Sequence, residues 1–303
     1  MMNTNDEHFD EVDRPKMPAR DPEGHKGTFG TVGVIGGQCG AELMIGGPAF
    51  SAMAALRSGC GLAMVAAPRS VLPAILTVVP EATGLPIEVR ADGALDASQA
   101  AEIIDSGLAN ARVIAIGPGF GQGESQRQIL FRLLAREDHP LVIDADALNL
   151  LASSTGVQSD LRAPSILTPH PGEFARLARS LGIDPTPESP QAREASAREL
   201  AARLGAIVVL KGARTVVSDG LRVFVNTTGN AGLATGGSGD VLTGLCAGFV
   251  AQFHPQLDLF GCACMAVWVH GHAADRIVAE RGTPRLIARE LLSALPGSIA
   301  AYE

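Results

Sequence analysis

Val113-Ile114-Ala115-Ile116-Gly117-Pro118-Gly119-Phe120-Gly121, followed by a helical pattern over 124–136, decides the architecture of this chain. Four consecutive apolar residues leave no polar face, so a strand built from them has to be covered on both sides. Runs of the same kind lie at 31–36, 62–66, 112–116, 141–144, 165–168 and 206–210. Helical patterns intervene around 47–59, 98–108, 124–136, 172–181, 191–204, 240–253 and 259–280. The alternation predicts an α/β fold: a mostly parallel central sheet with helices on both faces. Residues 215–218 and 222–226, joined by Asp219-Gly220, read as a hairpin. The Pro-rich segment 184–190 reads as a loop between two helices, and no repeat or long linker divides the chain. A single domain over 26–303 is expected, preceded by a mobile polar tail over 1–25 that carries Asp6, Glu7, Asp10, Glu11 and Asp13.

The bulk properties narrow the function classes. With 46% hydrophobic but only 4% aromatic residues, the core has to be made of Ala, Val, Leu and Ile. A formal charge of −8 and a pI near 5.4 argue against a nucleic-acid surface. An anionic ligand would therefore be captured by local N–H groups and a few cations. The five cysteines, Cys39, Cys60, Cys246, Cys262 and Cys264, are scattered, form no CxxC pair, and suit buried thiols in a reducing compartment. The N-terminus lacks a signal-peptide pattern, and no apolar run is long enough to span a bilayer. A cytoplasmic protein is expected.

In open parallel sheets, ligands collect beyond the carboxyl ends of the strands. The unusual residues of this chain fall there: Ile35-Gly36-Gly37, the 117–121 turn, Asp144-Ala145-Asp146, Thr168-Pro169-His170 and Lys211-Gly212 all follow apolar runs. The 117–121 turn is not a GxGxxG fingerprint, because Gln122 occupies the last glycine position, and no GxxxxGK[ST] is present. A close backbone approach to a ligand and a purely structural turn both fit it. His170, between two prolines at a strand tip, is a ligand-contact candidate; Pro171 and Glu173 also suit a plain helix start. Asp144, Asp146 and Asn149 could hold Mg²⁺ through waters or touch phosphate and sugar groups, with helix capping by Asp146 as the alternative. Lys211 is one of three lysines, the others being Lys16 and Lys26 in or near the tail; a cation at a strand tip suits a phosphate, with a plain surface lysine as the alternative.

The segment Asn230-Ala231-Gly232-Leu233-Ala234-Thr235-Gly236-Gly237-Ser238-Gly239-Asp240 carries the most chemistry. Glycines let several N–H groups converge on one anion, and a following helix adds its positive dipole end. A carboxylate beside such a pocket makes sense where an acceptor hydroxyl is oriented and deprotonated next to a phosphoryl group. A flexible turn with a capping acid is the plainer reading.

Taken in order, Val34-Ile35-Gly36-Gly37, Ala54-Ala55-Leu56-Arg57-Ser58-Gly59, Gly117-Pro118-Gly119, Asp144-Ala145-Asp146-Ala147-Leu148-Asn149, Thr168-Pro169-His170-Pro171-Gly172-Glu173, Lys211-Gly212 and the 236–240 loop resemble the ADP-dependent NAD(P)H-hydrate dehydratase family, within the ribokinase-like superfamily. The resemblance, from about Gly27 to the C-terminus, implies a three-layer α/β/α domain. It implies an enzyme that repairs hydrated NADH or NADPH, with ADP as co-substrate and Mg²⁺ as cofactor. Asp240 matches the aspartate at the hydrated ring, a catalytic base or orienting group. Gly47, Gly119 and His170 match substrate-contacting positions, although relatives commonly carry alanine where Gly47 stands. Lys211, Gly212, Ala213, Arg214, Thr215 and Gly239 match the nucleotide-binding segments. A homo-oligomer, with a tetramer among the options, and a separate epimerase acting on the same metabolite are the implied partners. The segment before Gly27 is too short for an epimerase domain, so one epimer is the expected substrate. A ribokinase-like kinase for a vitamin precursor or sugar, and a nucleotide-binding sensor without chemistry, are the competing readings.

Overall fold

The computed structural model describes residues 13–154, 156 and 160–303. A nine-stranded sheet runs in the order β3-β2-β1-β4-β5-β6-β7-β8-β9. Strands β1 (Thr31–Ile35), β2 (Leu62–Pro68), β3 (Thr83–Ile87), β4 (Val113–Ile116), β5 (Leu141–Ile143), β6 (Ser165–Leu167) and β7 (Ile207–Leu210) are parallel. The expected hairpin, β8 (Val216–Ser218) and β9 (Val223–Val225), closes one edge antiparallel.

Each parallel strand divides its residues between two cores, as a period of two requires. Val113 and Ala115 face one core; Ile114 and Ile116 face the other. The first core is covered by α1 (Gly46–Ser58), α2 (Leu72–Val78) and the three C-terminal helices α8 (Ser238–Phe253), α9 (Leu259–Arg281) and α10 (Ala288–Ala300). The second is covered by α3 (Ala97–Gly107), α4 (Glu124–Leu134), α5 (Ala145–Ala152), α6 (Pro171–Leu181) and α7 (Pro190–Leu204). The expected three-layer α/β/α architecture is the observed one.

Sequence reading misses β3, α2, α5 and α10. The β3 sequence Thr83-Gly84-Leu85-Pro86-Ile87 contains glycine and proline, tolerated because the strand lies at the sheet edge. Pro296 lies within α10 and interrupts its helical signal. Of the tail expected over 1–25, residues 1–12 lie outside the described residues. The following segment is packed on the C-terminal helices. The Arg14 guanidinium lies over the rings of Trp268 and Tyr302, the Tyr302 hydroxyl donates to the Pro15 carbonyl at 2.7 Å, and Arg20 donates to the Gly59 carbonyl at 2.8 Å. The cysteines of the described chain are free thiols, four of them buried, and burial pushes the Cys60 thiol up to about 12. Among the described residues, no helix is long and apolar enough to cross a membrane.

Candidate active site

The chain leaves β1 toward β2 and β3, then returns to add β4 on the other side of β1, so the crevice between the β1 and β4 tips is a topological switch point. Backbone contacts knit that crevice. The Gly37 N–H donates to the Pro118 carbonyl at 3.1 Å, and a methyl group at Gly47 would meet the Pro118 carbonyl carbon at 2.9 Å. Gly47 is buried there, with no room for a methyl group. The 117–121 turn takes positive φ at Gly117 (123°), Gly119 (59°) and Gly121 (83°). Asp146 secures it, accepting from the Gly121 N–H at 2.8 Å and the Gln122 amide at 2.9 Å. The helix-capping role considered for Asp146 is therefore not the one observed: Asp144 is the N-cap residue of α5, and no side chain caps that helix.

Helix α8 is pinned to α1 by small residues. A methyl at Gly244 would strike the Ser51 carbonyl, and one at Gly248 would strike the Ser58 hydroxyl. That close approach lets the Ser51 hydroxyl donate to the Asp240 carbonyl at 2.9 Å. Gly237, with φ 87°, is the N-cap residue of the helix, and Asp240 sits in its first turn. Sequence alone places the helix start at Asp240; the structure starts it at Ser238, so the Gly239 N–H belongs to the open first turn.

Beside this turn lies a crowded set of charges. Lys211 Nζ donates to Asp144 Oδ1 at 2.8 Å and lies 3.8 Å from Glu173 Oε2. The Thr243 hydroxyl donates to Asp144 Oδ2 at 2.7 Å. A methyl at Gly239 would sit 3.4 Å from Lys211 Nζ and 3.9 Å from Asp144 Oδ2, so the α8 N-terminus overlooks the ion pair. Burial pushes the Asp144 carboxyl up, but Lys211 and the Thr243 bond outweigh it and hold it below the usual carboxylate range. Burial alone would lower Lys211, yet Asp144, Glu173 and Asp240 raise it. Lys211 opposes, without cancelling, the effect of burial on Asp240 and Glu173. Burial, then the Asp144 charge, pushes Asp240 up to about 7 against the opposing Lys211. Burial likewise pushes Glu173 up to about 7.

His170 caps α6. Its Nδ1 accepts from the Gly172 and Glu173 N–H groups at 2.9 and 3.4 Å, while the His170 backbone N–H donates to Glu173 Oε2 at 2.8 Å. The imidazole is half exposed, and burial together with Lys211 and Arg176 lowers its basicity. Its Nε2 stays 3.3 Å from Glu173 Oε1, which links His170 to the Lys211 cluster.

On the other side of the α8 turn opens a cavity of about 550 Å³. Lys211, Gly212, Ala213, Arg214, Thr215 and Gly239 all line it, which brings together the nucleotide-binding positions of the sequence reading. The Thr215 hydroxyl donates to the Gly212 carbonyl at 3.0 Å, holding that loop closed on itself. Sequence reasoning gave no site role to Asn226, Thr228 and His270, which also line the wall. The polar run Asn226-Thr227-Thr228-Gly229-Asn230 after the hairpin was the available signal; His270, inside an apolar helix, offered none.

A family model for NAD(P)H-hydrate dehydratase matches residues 32–297. The chain belongs to the NAD(P)H-hydrate dehydratase family. It is 39% identical to the ADP-dependent (S)-NAD(P)H-hydrate dehydratase of Neisseria meningitidis over 283 residues, 91% of this chain and 87% of that one. Among solved structures it is similar to the Bacillus subtilis ADP/ATP-dependent NAD(P)H-hydrate dehydratase co-crystallized with ATP/Mg²⁺. That likeness has a TM-score of 0.75 at 33% identity over 96% of both chains. A ribokinase-like superfamily protein from Enterococcus faecalis matches with a TM-score of 0.76 at 29% identity, over 94% of this chain and 91% of that one. The fold is ribokinase-like. The chain spans about half the length of the bifunctional NAD(P)H-hydrate repair enzymes that it matches (50–53%).

Proposed function

We propose that this chain dehydrates hydrated NADH and NADPH in an ADP-dependent reaction, the (S) form being the substrate. The observation that carries the reading is Asp240, a buried carboxyl raised to about 7 in the first turn of α8, next in chain to Gly239 of the cavity wall and within the field of Asp144, Lys211 and Glu173. A base is most effective when its pKa lies near the working pH.

Hydroxide leaves poorly, so the proposed sequence first turns the hydroxyl into a phosphate ester. In the proposed sequence Asp240 takes the proton of the ring hydroxyl. The hydroxyl oxygen bonds to the β-phosphorus of ADP, and the bond from that phosphorus to the bridging oxygen breaks, releasing AMP. The ring nitrogen's lone pair then expels phosphate, which leaves with the electrons of the C–O bond, and the neighbouring carbon loses a proton to restore the dihydronicotinamide. Catalysis of this kind needs positioning and anion stabilisation, with no covalent nucleophile.

Gly239 and the 211–215 loop would hold the nucleotide, with Gly47, Gly119 and His170 along the substrate crevice. Lys211 already neutralises Asp144, so its service to a phosphate is that of a shared cation. Three carboxyl groups (Asp144, Glu173 and Asp240) face this one ammonium, an excess of negative charge that suits a divalent cation. Among the described residues no group of three or more His, Cys, Asp or Glu is assembled for a metal. Mg²⁺ would be held through the ADP phosphates and water, with Glu173 and Asp240 as the candidate carboxyls, and would neutralise phosphate charge. A cytoplasmic homo-oligomer working beside a separate epimerase belongs to the same proposal.

The test is to incubate hydrated NADH with ADP or ATP and follow the return of dihydronicotinamide absorbance. Regained absorbance with ADP supports the proposal. Formation of a stable phosphorylated product without regained absorbance would favour a small-molecule kinase instead.

A further inference from the structure

His270 lies on α9, 7% exposed, in the wall of the cavity. Its Nε2 is 2.9 Å from the Ser238 carbonyl oxygen. A carbonyl only accepts, so Nε2 carries the proton, and burial keeps the ring neutral by lowering it to about 4. The bond matters because of which peptide it grips. The Ser238 carbonyl and the Gly239 N–H belong to one planar trans unit, so the direction of the first fixes the direction of the second. The Gly239 N–H is among the unpaired donors at the start of α8, beside Lys211 Nζ. A hydrogen bond to the carbonyl also polarises the peptide and strengthens its N–H as a donor.

The same helix holds the opposite lip of the cavity. Asp275 accepts from the Gly229 N–H at 2.7 Å and from the Asn230 side-chain amide at 2.8 Å. Thr228 donates to the Trp268 carbonyl at 2.9 Å, in space left open by Gly271, where a methyl group would strike the Thr228 hydroxyl. One helix thus fixes both the anion turn and the facing loop.

We propose that His270 is a positioning residue for the anion-binding turn: by holding the Ser238 carbonyl it aims and strengthens the Gly239 N–H toward a nucleotide phosphate. The inference rests on the reading of the cavity as the nucleotide site. It is tested by titrating the full chain and its His270→Phe and His270→Gln variants with ADP and with adenosine, and by measuring kcat and KM for ADP. Phenylalanine keeps the ring but loses the donor, and should weaken ADP about tenfold while changing adenosine less than about twofold. Glutamine can offer an N–H to the same carbonyl and should recover most of the ADP affinity and turnover. The inference is overturned if His270→Phe binds ADP unchanged, if ADP and adenosine weaken in parallel, or if glutamine restores nothing. Failure of the unsubstituted protein to bind ADP would instead remove the nucleotide reading, and this inference with it.

Discussion

Two glycine turns flank the site, and they use the same residue for opposite purposes. At 117–121 the protein itself occupies the space that side chains would take. A methyl at Gly117 would run into the Asp144 carbonyl, and one at Gly119 would meet Met44 Cβ at 2.9 Å. At 236–239 the space is largely left open. Nothing lies within 4 Å of a methyl at Gly236, and one at Gly239 would make ordinary contact with Lys211 Nζ. Only Gly237 is needed internally, with φ 87° and the Phe50 ring 2.9 Å from its virtual methyl. The first turn is a packing device that shapes the crevice wall; the second is a surface kept bare for a ligand.

Substitutions in and beside the two turns should separate these uses. The largest effect belongs to the residue that the open turn presents. Asp240→Asn should lower turnover about a thousandfold while ADP still binds, as measured by steady-state rates and calorimetry. It should also change stability. The folded pKa of Asp240, about 7, lies above its ordinary value of 3.8, so the folded state holds the proton more tightly. The stability gained from that proton is present below pH 4 and lost as pH climbs through 7. Above pH 7 the asparagine variant should therefore melt higher than the parent, and below pH 4 the gap should vanish. A parent that stays at least as stable as the variant above pH 7 would remove the buried-carboxylate account.

Next in size is Gly117→Ala in the packed turn, which should cost about 3 kcal/mol in denaturant unfolding, through the clash and the left-handed φ. A neutral result would mean that the turn is not a packing device. Gly239→Ala should leave the melting temperature essentially unchanged and weaken ADP about tenfold, a 1.4 kcal/mol loss by titration. Unchanged ADP affinity would place the phosphate elsewhere. Gly236→Ala should be the mildest, within about 0.5 kcal/mol of the parent in stability.

Much of this organisation was legible in the residues. Near-continuous Val, Ile and Leu runs identified six of the interior strands, β1, β2 and β4 to β7, because a strand covered on both faces has few polar positions to confuse its pattern. The edge strand β3 was illegible for the reverse reason: one open side tolerates the Gly84 and Pro86 that sequence reading treats as breakers. At the site, Asp240 and the 211–215 segment stood out because their residue types are chemical. The close contact of α1 with α8 could not be read, since Gly244 and Gly248 look like flexibility in a sequence and act as a socket in space. His270 was hidden in the same way, its neighbours Val267, Val269 and Met265 describing only a buried helix. Residues that act through a backbone group one peptide away leave little trace in pattern.

The central claim is that the ring oxygen departs as phosphate. The most direct measurement prepares hydrated NADH with ¹⁸O in its ring hydroxyl, turns it over with ADP, and weighs the released phosphate by mass spectrometry. The account predicts one labelled oxygen in inorganic phosphate for each NADH restored. Label appearing in water, with unlabelled phosphate, would contradict it.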